Sequence, residues 1–293
     1  MLHPAATPET PGPYSRNDLL DGLRTSGVRA GDTLMVHAAI SSVGWTTGGG
    51  VALVQALRDA VGTTGTLVVP AFTTYLTDPA TWVQRPVPRD WWPTVREAMI
   101  AFDPDLHPAQ PPLGRLPELV RSLPGARRSA HPLYSFAAAG PRADAVLARH
   151  ALPFGMGSHS PLAALCRGDA KVLMIGVGWD RCTVLHLSEH LTAYPGRRSH
   201  RMDIPRSTPS GPTRWEPSRQ LVMYEGDYGA IGTEATRCGL AVRGHIGAAR
   251  TLLAPAADLV DLGCTWLARN RDLSGWRVAA NMTGVSEAPA GAL

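Results

Sequence analysis

Few charges, few cysteines and no long apolar run are the first things the chain shows. Charged residues make up 18% of 293 positions, and 28 Lys and Arg against 24 Asp and Glu leave an excess of only +4. No block of Lys and Arg gathers that excess, so a nucleic-acid partner has no electrostatic footprint, while a small polyanion is still accommodated. No stretch approaches the about 20 apolar residues that a membrane helix requires. The opening MLHPAATPETPGPY has neither a basic start nor an apolar centre, so neither a membrane anchor nor a secretory leader is expected. The four cysteines, Cys166, Cys182, Cys238 and Cys264, lie too far apart for a metal knuckle and are too few for a disulfide scaffold. Reduced thiols in a cytoplasmic protein are the expectation. Three familiar signatures are missing as well. No G-K-[ST] follows a glycine loop, no G-x-G-x-x-G opens a helix, and Ser158 and Ser160 do not form a G-x-S-x-G elbow.

What is present is a large apolar complement, 44% of the chain, enough for a sizeable core. Ser15 to Gly27 reads as a helix capped by Ser15, with Leu19, Leu20 and Leu23 as its apolar stripe. Residues 32–37 read as a buried strand, Val51 to Val61 as an amphipathic helix, and residues 65–70 as a second strand. Strand, helix and strand in that order imply an α/β layered core. Periodicity fades from Thr73 to Gly114, a segment dense in Pro and Trp. Leu116 to Leu123 reads as a short helix, residues 171–177 as the clearest strand, and Ala248 to Leu262 with Cys264 to Asn270 as further helical cover. There is no internal repeat and no low-complexity block.

Chemistry concentrates at three places. Beyond the strand at 171–177, a glycine turn leads into a helix on which Val184, Leu187 and Leu191 make a core stripe. His186, Glu189 and His190 fall on the opposite side, with His186 and Glu189 one turn apart. A carboxylate beside an imidazole fixes its tautomer and raises its basicity, which suits a general base. The same residues spell H-x-x-E-H, a zinc peptidase pattern, which would need a third ligand. The second place is Gly48, Gly49 and Gly50, where a glycine turn opens a helix whose free N–H groups suit a phosphate. The third is RRSAHPLYSFAAAG, carrying Ser129, His131 and Ser135.

In combination, GDTLMVHAAISSVGW with the triple glycine, VGTTGTLVVPAF, DPATW with PVPRDWWP, the run from AFDPDLHP to SFAAAGP, SPLAALC and KVLMIGVGWDRCTVLHLSEH resemble the aminoglycoside 3-N-acetyltransferase family, in the family's order. That resemblance implies an α/β three-layer α/β/α sandwich around a mostly parallel or mixed sheet, with a smaller irregular subdomain, unlike the common acetyltransferase fold. The chain is expected to form one acetyltransferase domain at 15–275 with a Pro- and Trp-rich insertion at about 73–114, and its composition gives loose termini at 1–14 and 285–293. The resemblance also implies acetyl transfer from acetyl-coenzyme A to the 3-amine of a 2-deoxystreptamine antibiotic, without a metal, in a monomer or homodimer. His186 inherits the base role, Glu189 its partner, and Asp180 a third place in the relay. His37, Ser41, Ser42, Gly48, Gly49, Ser135 and Phe136 inherit coenzyme A contacts, with Arg127 and Arg128 nearby. A polycationic substrate calls for acids, and the candidates are Asp78 and Asp90 beside Trp92, with Glu225 and Asp227. An acetyltransferase for another amine, a zinc hydrolase, and a coenzyme A-binding protein without catalysis are the alternatives.

Overall fold

The computed structural model describes residues 12–82, 86–208 and 211–272. The tail expected at 285–293 and most of the arm at 1–14 lie outside those residues. Tyr14 is within them and is tied down: its N–H donates to the Trp45 carbonyl and its carbonyl accepts from Thr47 N–H, both at 2.9 Å.

The first helix, α1 (Arg16–Thr25), starts where expected, because Ser15 and Asp18 cap each other's backbone N–H groups. It is followed by β1 (Thr33–Ala38), α2 (Gly49–Val61) and β2 (Thr66–Pro70). Next come α3 (Trp92–Ala98), α4 (Leu116–Arg121), β3 (Arg127–Arg128), β4 (Phe136–Ala139), α5 (Ala143–Leu147) and α6 (Pro161–Arg167). After β5 (Lys171–Ile175) and α7 (Leu185–Leu191), a long hairpin of β6 (Ser199–Thr208) and β7 (Gly211–Leu221) leads to α8 (Tyr228–Arg237). The described chain closes with β8 (Val242–Ile246), β9 (Ala249–Pro255) and α9 (Ala256–Asn270).

Seven strands form one mixed sheet in the order β3-β4-β2-β1-β5-β9-β8. Only β1 with β2 and β1 with β5 run parallel; the remaining pairs are antiparallel. Side chains alternate between two cores, as strand pleating requires. Leu34, Val36, Leu173 and Ile175 join α1, α2 and α4 on one face. Met35, Val172 and Met174 join the helices α5 to α9 on the other. The result is the α/β/α layering expected. The chain winds from β1 through α2 to β2 on one side of β1 and later places β5 on its other side. A crevice therefore opens at the carboxyl ends of β1 and β5, where open α/β sheets collect ligands.

One expectation fails, and one element was not foreseen. Residues 249–255 are strand β9, paired along β5, and not part of a helix; Pro255 ends the strand, and a single helix, α9, runs on from 256 to 270 without a break at 263. Sheet pairing with β5 outweighs the local helical pattern here. The hairpin β6–β7 was not anticipated, since its arms carry Pro205, Pro217 and many charges in place of apolar alternation. It lies over the Pro- and Trp-rich segment, where Trp215 donates from Nε1 to the Arg96 carbonyl at 3.0 Å.

Candidate active site

His37 sits near the carboxyl end of β1, and Gly176 follows β5 at a backbone angle of +62°. A Cβ at Gly176 would lie 1.6 Å from Ser42 Oγ, so only glycine lets the two loops meet. A single turn at Trp179–Arg181 then sends the chain into α7. Between these loops and α4 lies a cleft of about 480 Å³ lined by His37, Phe72, Leu113, Asp180, His186 and Glu225 among others.

Helix α7 departs from the expected amphipathic layout. Leu191 is exposed, while His186, Ser188 and Glu189 are buried against α8 and α9. A buried carboxylate is costly unless it is paired and hydrogen-bonded. Glu189 is satisfied on both oxygens. Its Oε1 accepts from Tyr224 N–H at 2.8 Å and from Arg271 Nη1 at 2.5 Å. Its Oε2 accepts from the Tyr228 hydroxyl at 2.5 Å and lies 3.1 Å from His186 Nδ1. Tyr228 Oη is also 2.6 Å from Nδ1. With the tyrosine proton directed to Glu189, Nδ1 carries hydrogen and donates into this pair. Nε2 is thereby left as the basic nitrogen, and it faces the half-exposed carboxylate of Glu225 at 3.4 Å.

Burial works to lower the His186 pKa, but hydrogen bonds to Glu189 and Glu225 and their negative charges prevail and hold it up at about 9. Glu189 is likewise opposed by burial, yet His186 and Arg271 keep it below the usual carboxylate range. Arg271 is itself almost fully enclosed, donating to Glu189, to Asp227 Oδ2 at 2.7 Å and to the Tyr224 carbonyl at 2.8 Å. Tyr228, Tyr224 and Arg271 were not foreseen. Tyr228 stands directly after the acidic pair that was, but Arg271 is 82 residues from Glu189 and no local pattern connects them.

Of the other expected residues, His37 and Glu225 line the cleft, and so does Asp180, though Asp180 pairs with Arg181 at 3.1 Å and makes no bond to His186. The third side chain hydrogen-bonded to the His186–Glu189 pair is Tyr228. Ser42 is spent on the Ala39 carbonyl at 2.6 Å, and Ser41 is exposed beside it. Gly48 and Gly49 take positive φ at the start of α2 and do not line the cleft. Ser135 and Phe136 are fully buried in the sheet, Ser135 donating to the Ala71 carbonyl, so neither side chain can reach a ligand. Arg128 is enclosed too, donating to Ser135 Oγ and to the carbonyls of Pro104, His107 and Ala71, while Arg127 faces Asp144 at the sheet edge. Asp78 is clamped by Arg96 through two bonds of 2.7 and 2.8 Å. Trp92 has the guanidinium groups of Arg89 and Arg96 each 5.6 Å from its ring, Asp90 is exposed, and Asp227 belongs to Arg271. Glu225 is thus the one expected substrate acid that reaches the cleft.

The H-x-x-E-H helix uses its two imidazoles differently: His190 Nδ1 bonds the His186 carbonyl at 2.8 Å, and its ring meets Phe154 edge-on. Among the described residues no three His, Cys, Asp or Glu side chains are grouped to hold a metal ion.

Ser129 and His131 belong to a separate buried group with His150. The His131 and His150 rings lie 4.5 Å apart. His131 Nδ1 accepts from the N–H groups of Leu133 and Tyr134, and its Nε2 faces the Leu152 carbonyl. His150 is held between Ser129 Oγ and the Gly155 carbonyl. Burial, with little to oppose it, pushes His131 down to about 4 and His150 to about 3.

Residues 35–268 match the family model described as aminoglycoside 3-N-acetyltransferase. Aminoglycoside N(3)-acetyltransferase VII of Streptomyces paromomycinus is 37% identical over 269 residues, which cover 87% of this chain and 92% of the relative. The prophage-derived aminoglycoside N(3')-acetyltransferase-like protein YokD of Bacillus subtilis is 34% identical over 88% of this chain and 94% of its own. The crystal structure of YokD superposes with a TM-score of 0.86 at 33% identity, covering 89% of this chain and 96% of that one. AAC-IIIb in a binary complex with CoASH gives 0.77 at 35% identity, with 94% and 99% covered. AAC-VIa bound to sisomicin gives 0.78 at 31%, with 87% and 98% covered.

Proposed function

The chain belongs to the aminoglycoside 3-N-acetyltransferase family, a family of acyltransferases, and on that premise we propose that it moves acetyl from acetyl-coenzyme A to the 3-amine of a 2-deoxystreptamine aminoglycoside. Relatives held with CoASH and with sisomicin support both ligand classes. The observation that carries the reading is the buried His186–Glu189 pair with Nε2 turned to the cleft. A protonated amine has no lone pair with which to attack a thioester. The amine therefore reacts in its neutral form: Nε2 takes a proton from it as the nitrogen adds to the carbonyl carbon, and Glu189 with Tyr228 holds the ring and balances the imidazolium that forms. No acyl-enzyme is needed, and burial raises both Cys166 and Cys182 to about 12, far from a reactive thiolate.

The charges suit a polycation. Three carboxylates, Glu189, Glu225 and Asp227, face one permanent cation, Arg271, and one titrating ring. With His186 neutral the group carries a net charge of −2 (three negative, one positive). An incoming ammonium is drawn to it and, once bound beside Glu225, opposes the proton on His186. That brings the ring down from about 9 toward working pH.

No helix among the described residues is long and apolar enough to cross a membrane, in keeping with a cytoplasmic enzyme meeting its co-substrate there. The test is thiol release from acetyl-coenzyme A against a panel of aminoglycosides that includes compounds without the 3-amine. Release confined to compounds bearing it is expected; none with any member of the panel would sink the proposal.

A further inference from the structure

We propose that His37 is a second catalytic imidazole, donating a hydrogen bond from Nε2 to the thioester carbonyl oxygen and stabilising the negative charge that gathers on it. The assignment rests on the acetyl-transfer reading above.

The observation behind it is an unpaired atom. His37 is 8% exposed, and its Nε2 is buried without a hydrogen-bond partner. Buried polar nitrogens are normally satisfied, and one that is not asks for a reason. The other unpaired buried side-chain atoms among the described residues are Thr33 Oγ1, Ser160 Oγ, Thr192 Oγ1 and Tyr194 Oη. None of those residues lines the cleft; His37 does, together with His186. The unpaired atom therefore belongs to a residue that lines the cleft, where a bound ligand can supply the partner.

Chemistry decides which ligand atom that is. Among the described residues His37 has no ion pair with a carboxylate, in contrast to His186, whose ring is flanked by Glu189 and Glu225. Burial, and then the charge of His186, lower its pKa to about 4, so the ring is neutral at working pH. A neutral imidazole offers an N–H without adding positive charge to a cleft that must admit a polycation. It is too weak a base to compete with His186 for the amine proton. Its position near the carboxyl end of β1, with β5 alongside, puts it in the lining of the same cleft as His186. An N–H donor fixed before reaction and kept from water is the arrangement that stabilises a developing oxyanion.

The step balances as follows. The amine nitrogen forms a bond to the carbonyl carbon, the C=O π pair moves to oxygen, and the amine proton goes to His186 Nε2. The oxygen pair then re-forms C=O, the C–S bond breaks with its pair on sulfur, and the proton leaves on the thiol. His37 lends a hydrogen bond throughout and ends unchanged.

The experiment compares the full chain with His37→Phe, which keeps a flat ring without N–H, and His37→Gln, whose amide N–H reaches to a similar depth. Turnover of acetyl-coenzyme A with an accepted aminoglycoside is followed by thiol release, and coenzyme A binding by calorimetry. His37→Phe should lower kcat by about 10²- to 10³-fold, the usual loss for one oxyanion donor. KM for acetyl-coenzyme A and the calorimetric affinity should change little, and His37→Gln should recover most of the rate. His37→Ala only removes atoms and serves if the larger ring disturbs folding; added imidazole should restore part of its turnover. An unchanged kcat in His37→Phe, or an effect confined to KM, overturns the assignment while the acetyl-transfer reading stands. A wild-type chain that releases no thiol with any aminoglycoside overturns both.

Discussion

Two sets of enclosed histidines in one protein are driven in opposite directions. His186 is raised to about 9, whereas His131 and His150 are lowered to about 4 and about 3. All three rings are largely shut off from water, so burial cannot be what separates them. The difference is what their nitrogens face. His186 looks at two carboxylates; His131 and His150 look at backbone carbonyls, backbone N–H groups and a serine. A proton added at His131 Nδ1 would meet two N–H donors head-on, and the charge would sit 4.5 Å from the neighbouring ring. The first arrangement stores a proton and can hand it on. The second locks a fold around neutral rings.

Removing the base should have the largest effect. His186→Ala is expected to lower kcat by about 10²- to 10⁴-fold, the range for a positioned general base. Coenzyme A binding should persist, because the loss is of proton transfer. Equal turnover in the variant would erase the functional half of the comparison.

Next comes the cation behind the base. Arg271→Met strips Glu189 and Asp227 of a shared buried partner. Breaking such a pair costs about 3–5 kcal/mol, to be read as a lowered urea midpoint, and Arg271→Lys should recover part of it. Glu189 would then ionise less readily, so kcat should fall as well.

Acid stability probes the other half. The unfolded chain protonates His131 and His150 near 6.5, while the folded chain refuses those protons until about 4 and about 3. A group lowered on folding makes the unfolded state the better proton binder below its ordinary pKa, so stability falls as pH drops from about 6.5 to about 5, above the carboxylate range. The sign is reversed for His186: its stabilising contribution is complete below 6.5 and is lost as pH rises through about 9. Urea midpoints across pH should therefore decline on both sides of neutrality. His150→Gln, which keeps a donor for the Gly155 carbonyl, should make the acid side shallower by one histidine's share and leave the alkaline side as it is.

How much of this was legible in the sequence follows the range of each interaction. The strands at β1, β2 and β5 stand out because both faces are buried and their runs are short and apolar. His186 and Glu189 were readable as a pair because one helical turn joins them. Which way they faced was not readable. Leu191 completes a convincing apolar stripe yet is exposed, because the polar side of α7 is enclosed by Tyr228 and Arg271 from distant segments. The same holds for the supposed helix at 249–255, whose strand identity comes from pairing with β5. Local pattern carries local contacts; the partners of a buried charge come from elsewhere in the chain.

A smaller expected effect tests whether contact with a carboxylate sets the His186 pKa. Glu225→Gln removes the charge beside Nε2 and leaves Glu189 in place. The acid limb of kcat/KM, which reports the free protein, should move to lower pH by about one unit, as losing one flanking charge does. Ionisation of the substrate amine contributes equally to both profiles, so the displacement belongs to the protein. An unmoved limb would mean that Glu189 alone holds the ring.

The smallest effect belongs to a carboxylate that already has a better partner than any imidazole or substrate. Asp78 resembles Glu225 in the sequence, an acid awaiting an ammonium, but Arg96 holds it with two hydrogen bonds and pulls its pKa down. Arg96 in turn lies over Trp92, and its backbone carbonyl accepts from Trp215 of β7. The bridge is partly exposed, so Asp78→Asn should cost at most about 1 kcal/mol and leave KM for aminoglycosides unchanged, whereas Glu225→Gln should raise it. If Asp78→Asn raised KM as much as Glu225→Gln does, the Arg96 clamp would have to open to admit substrate, and the acids of the insertion would belong to the same class as those beside His186.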